Sequence, residues 1–271
     1  MSKLLRANFA RLFKSRLFRF CIAAIFAASA FAVFDQAKYT KVIDGMLFSG
    51  ISIISIVSAV FISIFAGTEY SDGTMRNKLY MGHSRVSVYG ASLVTCSAAA
   101  VIMHVILIAV VVCLGIPMIG KVTMTASEIL LLSLLSILIV TAYASVYILL
   151  GMLITSKAAG ASAAILLSFG MIIGADALYR CINTTEYRPM PYIDEESETG
   201  YDTELVPNPR YPSETKRKIM QTALNILPSG QALQIASGEL PENPAELPLY
   251  ALADIGVTTA AGILLFRRKD L

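Results

Sequence analysis

Long uncharged stretches alternate with short charged ones along most of this chain. Residues 46–66 carry no charge, residues 86–118 are interrupted only by His104, and residues 129–156 form the longest clean run. Residues 158–175 follow, and residues 247–266 hold one acid, Asp254. The shortest run, 20–34, needs Leu17 and Phe18 to reach across a bilayer. A membrane core takes about 20 apolar residues in a helix, with a range of about 17–25. The pattern therefore predicts an all-α integral membrane fold in a single transmembrane domain. Its six spans are expected over 18–34, 46–66, 88–114, 129–153, 158–178 and 248–266. The third and fourth runs exceed one crossing, so those helices tilt or continue beyond the lipid.

Composition agrees with that pattern. Hydrophobic residues make up 56% of the chain and charged ones only 15%, against about 45–50% and about 25% in a soluble domain. Ala28-Ser29-Ala30 has the small-residue character of a signal cleavage site. The long basic segment before it, and an apolar run continuing to Phe34, predict an uncleaved first span instead. The four cysteines, Cys21, Cys96, Cys113 and Cys181, show no metal-binding spacing and make no disulfide framework.

Charge placement predicts the orientation. Residues 1–19 hold Lys3, Arg6, Arg11, Lys14, Arg16 and Arg19 without any acid. Arg76, Lys78 and Arg85, then Lys157, then Arg267, Arg268 and Lys269 fall in alternate connections on that same side. The opposite short connections hold only Lys38, Lys41 and Lys121. Basic residues stay in the cytoplasm, so both termini are expected there. Tyr39, Tyr89, Tyr179 and Tyr250 are placed to form an interfacial aromatic belt.

The connection 180–246 is expected outside the cell, and its 6 basic and 11 acidic residues make it net negative. Residues 186–212 read as an extended, partly ordered loop. Residues 213–226 read as a helix with Ser213 as N-cap, broken by Pro228-Ser229-Gly230, with a second short helix over 231–236. Together they are expected to form a small helical cap before the last span. Residues 1–17 predict an amphipathic interfacial helix. Leu5, Phe9, Leu12 and Phe13 share its apolar face, Lys3, Ala7, Arg11 and Lys14 lie opposite, and Arg16 snorkels beside the apolar stripe.

Several motifs carry candidate chemistry. Gly115 to Lys121 fits G-x-x-x-x-G-K, but Val122 stands where magnesium needs a hydroxyl, and no strand precedes it. No nucleotide site is expected there. His104 is either a proton relay or cargo contact, or a neutral imidazole bonded to a neighbouring helix. Asp176 and Arg180 are spaced to pair on one helix face, and Asp254 is expected near the outer end of the last span. Gly170 and Gly174 form a G-x-x-x-G pair suited to close helix approach. Glu195, Glu196 and Glu198 are acidic neighbours in a loop, not a catalytic pair. Asn183-Thr184-Thr185 is a formal glycosylation triplet to which no role is given.

The segment from Gly67 to Leu79 mixes acids, bases and a tyrosine in a turn between the second and third spans, then resumes helical spacing at Met75, Leu79 and Tyr80. It resembles the Gly-x-Glu-Tyr-x-x-Gly-Thr-x-Arg-x-x-Leu signature of permease subunits of export-class (type 2) ABC transporters. Gly67, Glu69, Tyr70, Gly73, Thr74, Arg76 and Leu79 occupy its positions. The overall plan is similar too, as are Ile226 to Gln231 and Phe266 to Leu271.

The resemblance implies that residues 72–80 form a coupling helix in a groove of a separate ATPase, with Glu69, Tyr70, Asp72, Gly73, Thr74, Arg76, Lys78 and Leu79 as the coupling segment. It implies two ATPase copies and a second permease copy, with Gly170 and Gly174 as a candidate permease contact. ATP and magnesium belong to the partner; no catalytic residue, cofactor or metal is expected in this chain, and no nucleic acid. The implied location is the bacterial plasma membrane. Two rival readings are an ion- or proton-coupled secondary carrier and a non-transporting peptide-immunity or sensor protein.

Overall fold

The computed structural model describes residues 1–193, 201–236 and 245–269. Glu195, Glu196 and Glu198, and the terminal residues Asp270 and Leu271, lie outside the described residues. Eleven helices and one hairpin are present among those described. Six helical segments are long and apolar enough to cross a membrane: Arg16–Gln36, Asp44–Ser71, Arg85–Met118, Ala126–Leu153, Lys157–Ile182 and Glu246–Arg268. The chain is a multi-pass membrane protein by that measure. Each helix contains its predicted span and runs a few residues further.

The N-terminal helix α1 (Ser2–Lys14) turns at Ser15 into α2 (Arg16–Gln36), where the Ser15 hydroxyl accepts from the Phe18 amide at 3.3 Å. The second span is two helices, α3 (Asp44–Ser49) and α4 (Ile51–Ser71), separated at Gly50. A seven-residue helix, α5 (Thr74–Tyr80), then leads to α6 (Arg85–Met118). Next come α7 (Ala126–Leu153), opened by a Thr125–Glu128 capping box, and α8 (Lys157–Ile182). After α8 the chain forms an antiparallel hairpin, β1 (Tyr187–Ile193) against β2 (Tyr201–Pro207). It continues through α9 (Glu214–Ile226), α10 (Pro228–Ala236) and α11 (Glu246–Arg268).

Four expectations are corrected here. Within the expected 186–212 loop, Tyr187–Ile193 and Tyr201–Pro207 pair as a two-stranded antiparallel ribbon. Pro189 and Pro191 are two apart, so their missing N–H groups fall on one edge, where a ribbon needs no donor. α9 does end at Ile226, ahead of Pro228, but the second short helix starts at Pro228 and not at Gln231, with Pro228 in the position where its missing N–H is harmless. Tyr89 is fully buried, with its ring 6.4 Å from that of Phe266, and is no belt residue. Arg11 and Phe13 have exchanged places: Leu4, Asn8 and Leu12 form the packed stripe of α1, Arg11 flanks it, and Phe13 is 60% exposed.

α7 sits at the centre, packed on α4, α6, α8, α10 and α11. Its inner face carries Tyr143 and Tyr147, stacked 6.1 Å apart and buried. Their hydroxyls are satisfied across helices, which is what a polar group in an apolar interior requires. Tyr147 shares a 2.6 Å hydrogen bond with Ser55 of α4, Ser55 a 2.9 Å bond with Ser168 of α8, and Tyr143 donates to Ser229 of α10 at 2.7 Å. α10 is thereby packed into the bundle: Ser229, Gly230, Gln231, Ala232 and Ile235 are buried. At the same end, the Asp44 carboxylate accepts from the amides of Thr123 and Met124 at 3.0–3.1 Å, and from the Thr123 hydroxyl. It ties the start of α3 to the connection between α6 and α7.

Candidate coupling site at the basic end of the bundle

The signature segment begins inside a helix rather than in a turn. α4 runs through to Ser71, so Gly67, Glu69 and Tyr70 are helical. Gly67 is buried against the first turn of α8: a β-carbon there would stand 3.0 Å from the Lys157 Cα. The turn itself is made by Gly73, whose φ of 67° lies in the left-handed region that a Cβ disfavours. The Thr74 hydroxyl donates back to the Glu69 carbonyl at 3.1 Å and fastens α5 to the end of α4.

Glu69 is 1% exposed and accepts from two cations on one oxygen, Arg11 at 2.8 Å and Lys78 at 2.6 Å. The Lys78 ammonium also donates to Asn8 Oδ1 at 3.0 Å. Arg11 lies 3.7 Å over the ring of Phe65 and donates to its carbonyl at 3.4 Å. One carboxylate therefore joins α1, α4 and α5. A buried carboxylate is tolerable only when paired and hydrogen-bonded, and here the pairing residues come from three separate helices.

A second set of contacts closes the same end. The Tyr70 hydroxyl donates to the Met152 carbonyl, and the Lys269 ammonium donates to the carbonyls of Met152 at 2.8 Å and Leu153 at 2.9 Å. Lys269 also lies 4.1 Å over the Tyr70 ring. Burial pushes the Lys269 ammonium below its ordinary value. Arg85 does for α11 what Lys269 does for α7, donating to the carbonyls of Phe266 at 2.8 Å and of Lys269. The last carbonyls of a helix have no intrahelical donor and favour cations.

The remaining signature residues face outward. Asp72 and Arg76 are exposed, as are Tyr80 and Met81 at 86% and 78%. Asp72 reaches only Lys157, at 3.9 Å, and Arg76 makes no ion pair or hydrogen bond among the described residues. Met75 is fully buried and Leu79 partly so, which fixes the face that α5 turns inward. The segment thus divides into an anchoring half (Glu69, Tyr70, Thr74, Lys78, Leu79) and an outward half (Asp72, Arg76, Tyr80). Sequence reasoning missed Asn8, Arg11 and Lys269 as partners of the anchoring half. An asparagine in the middle of an apolar helix face was the available signal for the first.

The other candidates are scattered. His104 is buried on α6, with Nε2 2.8 Å from the Ser136 hydroxyl of α7. Asp176 and Arg180 pair at 2.8 Å on the exposed side of α8. Asp254 of α11 accepts from Gln231 of α10 at 3.1 Å. A β-carbon added at Gly170 or Gly174 meets nothing within 4 Å, so none of the described residues packs there. Gly115 ends α6 packed on Ile43, and Gly120 lies beside Lys41, so the G-x-x-x-x-G-K stretch closes a helix instead of opening one. Among the described residues no three His, Cys, Asp or Glu side chains gather to hold a metal ion. The chain matches no protein-family model, and no curated protein matches it.

Proposed function

We propose that this chain is the membrane-spanning permease subunit of an ATP-driven exporter resembling the type 2 ABC family. It would work in a bacterial plasma membrane with both termini and α5 in the cytoplasm, and with the hairpin, α9 and α10 at the outer end. A separate ATPase, in two copies, binds ATP and magnesium. A second permease copy completes the path, with Gly170 and Gly174 on the open face of α8 as the candidate contact. Closure of the ATPases pushes on α5 and tilts the helices between inward- and outward-open arrangements.

One observation carries this reading. α5 is held from behind by Glu69, Lys78 and Thr74, while Asp72, Arg76 and Tyr80 project without substantial partners in the chain. A short helix so fixed on one side and bare on the other suits receipt of force from a soluble partner. The signature residues supply the second support, since Glu69, Tyr70, Thr74 and Leu79 of the anchoring half and Arg76 of the outward half are among them.

The test is purification of the chain from native membranes. A soluble ATPase of about 25–35 kDa, the size of a one- or two-domain protein, is expected to come with it. Arg76→Glu and Gly73→Pro should insert normally, yet hydrolyse ATP without transport. Normal export by both variants, or purification without any ATPase, would defeat the reading.

A further inference from the structure

The corner between α1 and α2 leaves positive charge and apolar surface unmatched on one face. Phe18 is buried, with its ring 5.4 Å from that of Phe61, and this fixes the rotation of α2. At 100° per residue, Arg16, Arg19 and Phe20 lie on the side away from Phe18, and all three are exposed. Phe20 is 72% exposed. Phe13, across the corner, is held between Phe9 and Phe18 at 6.3 and 6.4 Å and is itself exposed. No acid occurs in residues 1–34. Neither arginine makes a hydrogen bond or ion pair among the described residues.

These arginines open a helix apolar enough to cross a membrane. Their guanidinium groups therefore stand at headgroup depth, with Phe20 toward the acyl chains. Phosphate-bearing, net-negative headgroups match this charge; zwitterionic ones leave most of it unbalanced. We infer that the α1–α2 corner binds an anionic phospholipid through Arg16 and Arg19, and that the bound lipid steadies α5. The second step follows from the shared carboxylate. The opposite flank of α1 carries Asn8 and Arg11, which meet Lys78 and Glu69. A lipid that immobilises the corner restrains α1, and α1 restrains α5. Membrane insertion is all this requires; it does not depend on what, if anything, the chain exports.

Native mass spectrometry of the detergent-solubilised full chain provides the test. Phosphatidylglycerol should be retained over phosphatidylcholine, and inorganic phosphate should not bind. Arg16→Gln with Arg19→Gln should weaken retention roughly 30-fold, from about 1 kcal/mol per arginine and tenfold per 1.4 kcal/mol. Arg267→Gln with Arg268→Gln, exposed bases at the same end, should leave it unchanged. In nanodiscs, phosphatidylglycerol should slow amide exchange in 74–80 relative to phosphatidylcholine. Arg11→Gln, or the milder Asn8→Ala, should keep the lipid and lose that slowing. Equal retention of both lipids, equal loss in the tail variant, or binding of free phosphate would overturn the site. Unchanged exchange in 74–80 would overturn the link to α5.

Discussion

Glu69 is the residue on which most of the basic end converges. Replacing it by glutamine keeps the shape but leaves Arg11 and Lys78 facing each other without a counter-charge. Breaking a buried pair in this way costs about 3–5 kcal/mol. Glu69→Gln should therefore lower the thermal midpoint sharply and raise proteolysis in residues 69–80, while Asp72→Asn, at an exposed 3.9 Å pair, should change neither measurably. Two glycines give a second contrast. A β-carbon at Gly230 would lie 2.0 Å from the Leu224 carbonyl oxygen, a backbone atom that cannot swing aside, whereas at Gly170 it meets nothing. Gly230→Ala should destabilise by about 1–3 kcal/mol through overpacking. Gly170→Ala should be neutral or stabilising by up to about 1 kcal/mol, the helix-propensity difference; denaturation of the two variants in one detergent decides it.

Among the elements, those readable from the sequence were those whose signal is local. Six apolar runs, five of them uncharged and one holding only Asp254, gave six spans because crossing a bilayer depends on composition over a window, which any stretch reveals by itself. Met75, Leu79 and Tyr80 gave α5 because helical spacing is local too. The elements that escaped depend on what lies across the bundle. Gly50 sits in an uncharged run and gives no sign that the second span divides there. The ribbon hid behind prolines that argue against a strand until its edge position is known. Leu5, Phe9, Leu12 and Phe13 set the apolar face of α1 correctly to within a fraction of a turn. That fraction moved Arg11 inward and Phe13 outward, because Glu69 on another helix draws the guanidinium in. The anchoring residues of the candidate site were named within the signature segment, but their partners Asn8, Arg11 and Lys269 lie 58 to 199 residues away along the chain. No periodicity links positions so far apart.

At the scale of the whole molecule, the two ends of the bundle are built differently. One is closed by the Glu69 cluster and by cations on helix carbonyls; the other by Asp44 on backbone amides and by the buried α10. The proposed orientation puts the first of these inside the cell. A cysteine introduced at Ser71, which is exposed, should react with a membrane-impermeant thiol reagent only after the cells are opened. One introduced at Tyr187, exposed on the hairpin, should react in intact cells. The reverse pattern would invert the topology and remove α5 from reach of any cytosolic ATPase.

The Met152 carbonyl oxygen receives both the Tyr70 hydroxyl and the Lys269 ammonium. The termini of α4, α7 and α11 are thereby riveted at one atom, and none of the three can slide past another without stripping donors from a helix end in an apolar setting. Whatever rearrangement accompanies work by this protein must carry that trio as a block. Spin labels on its members should hold a constant spacing through every state.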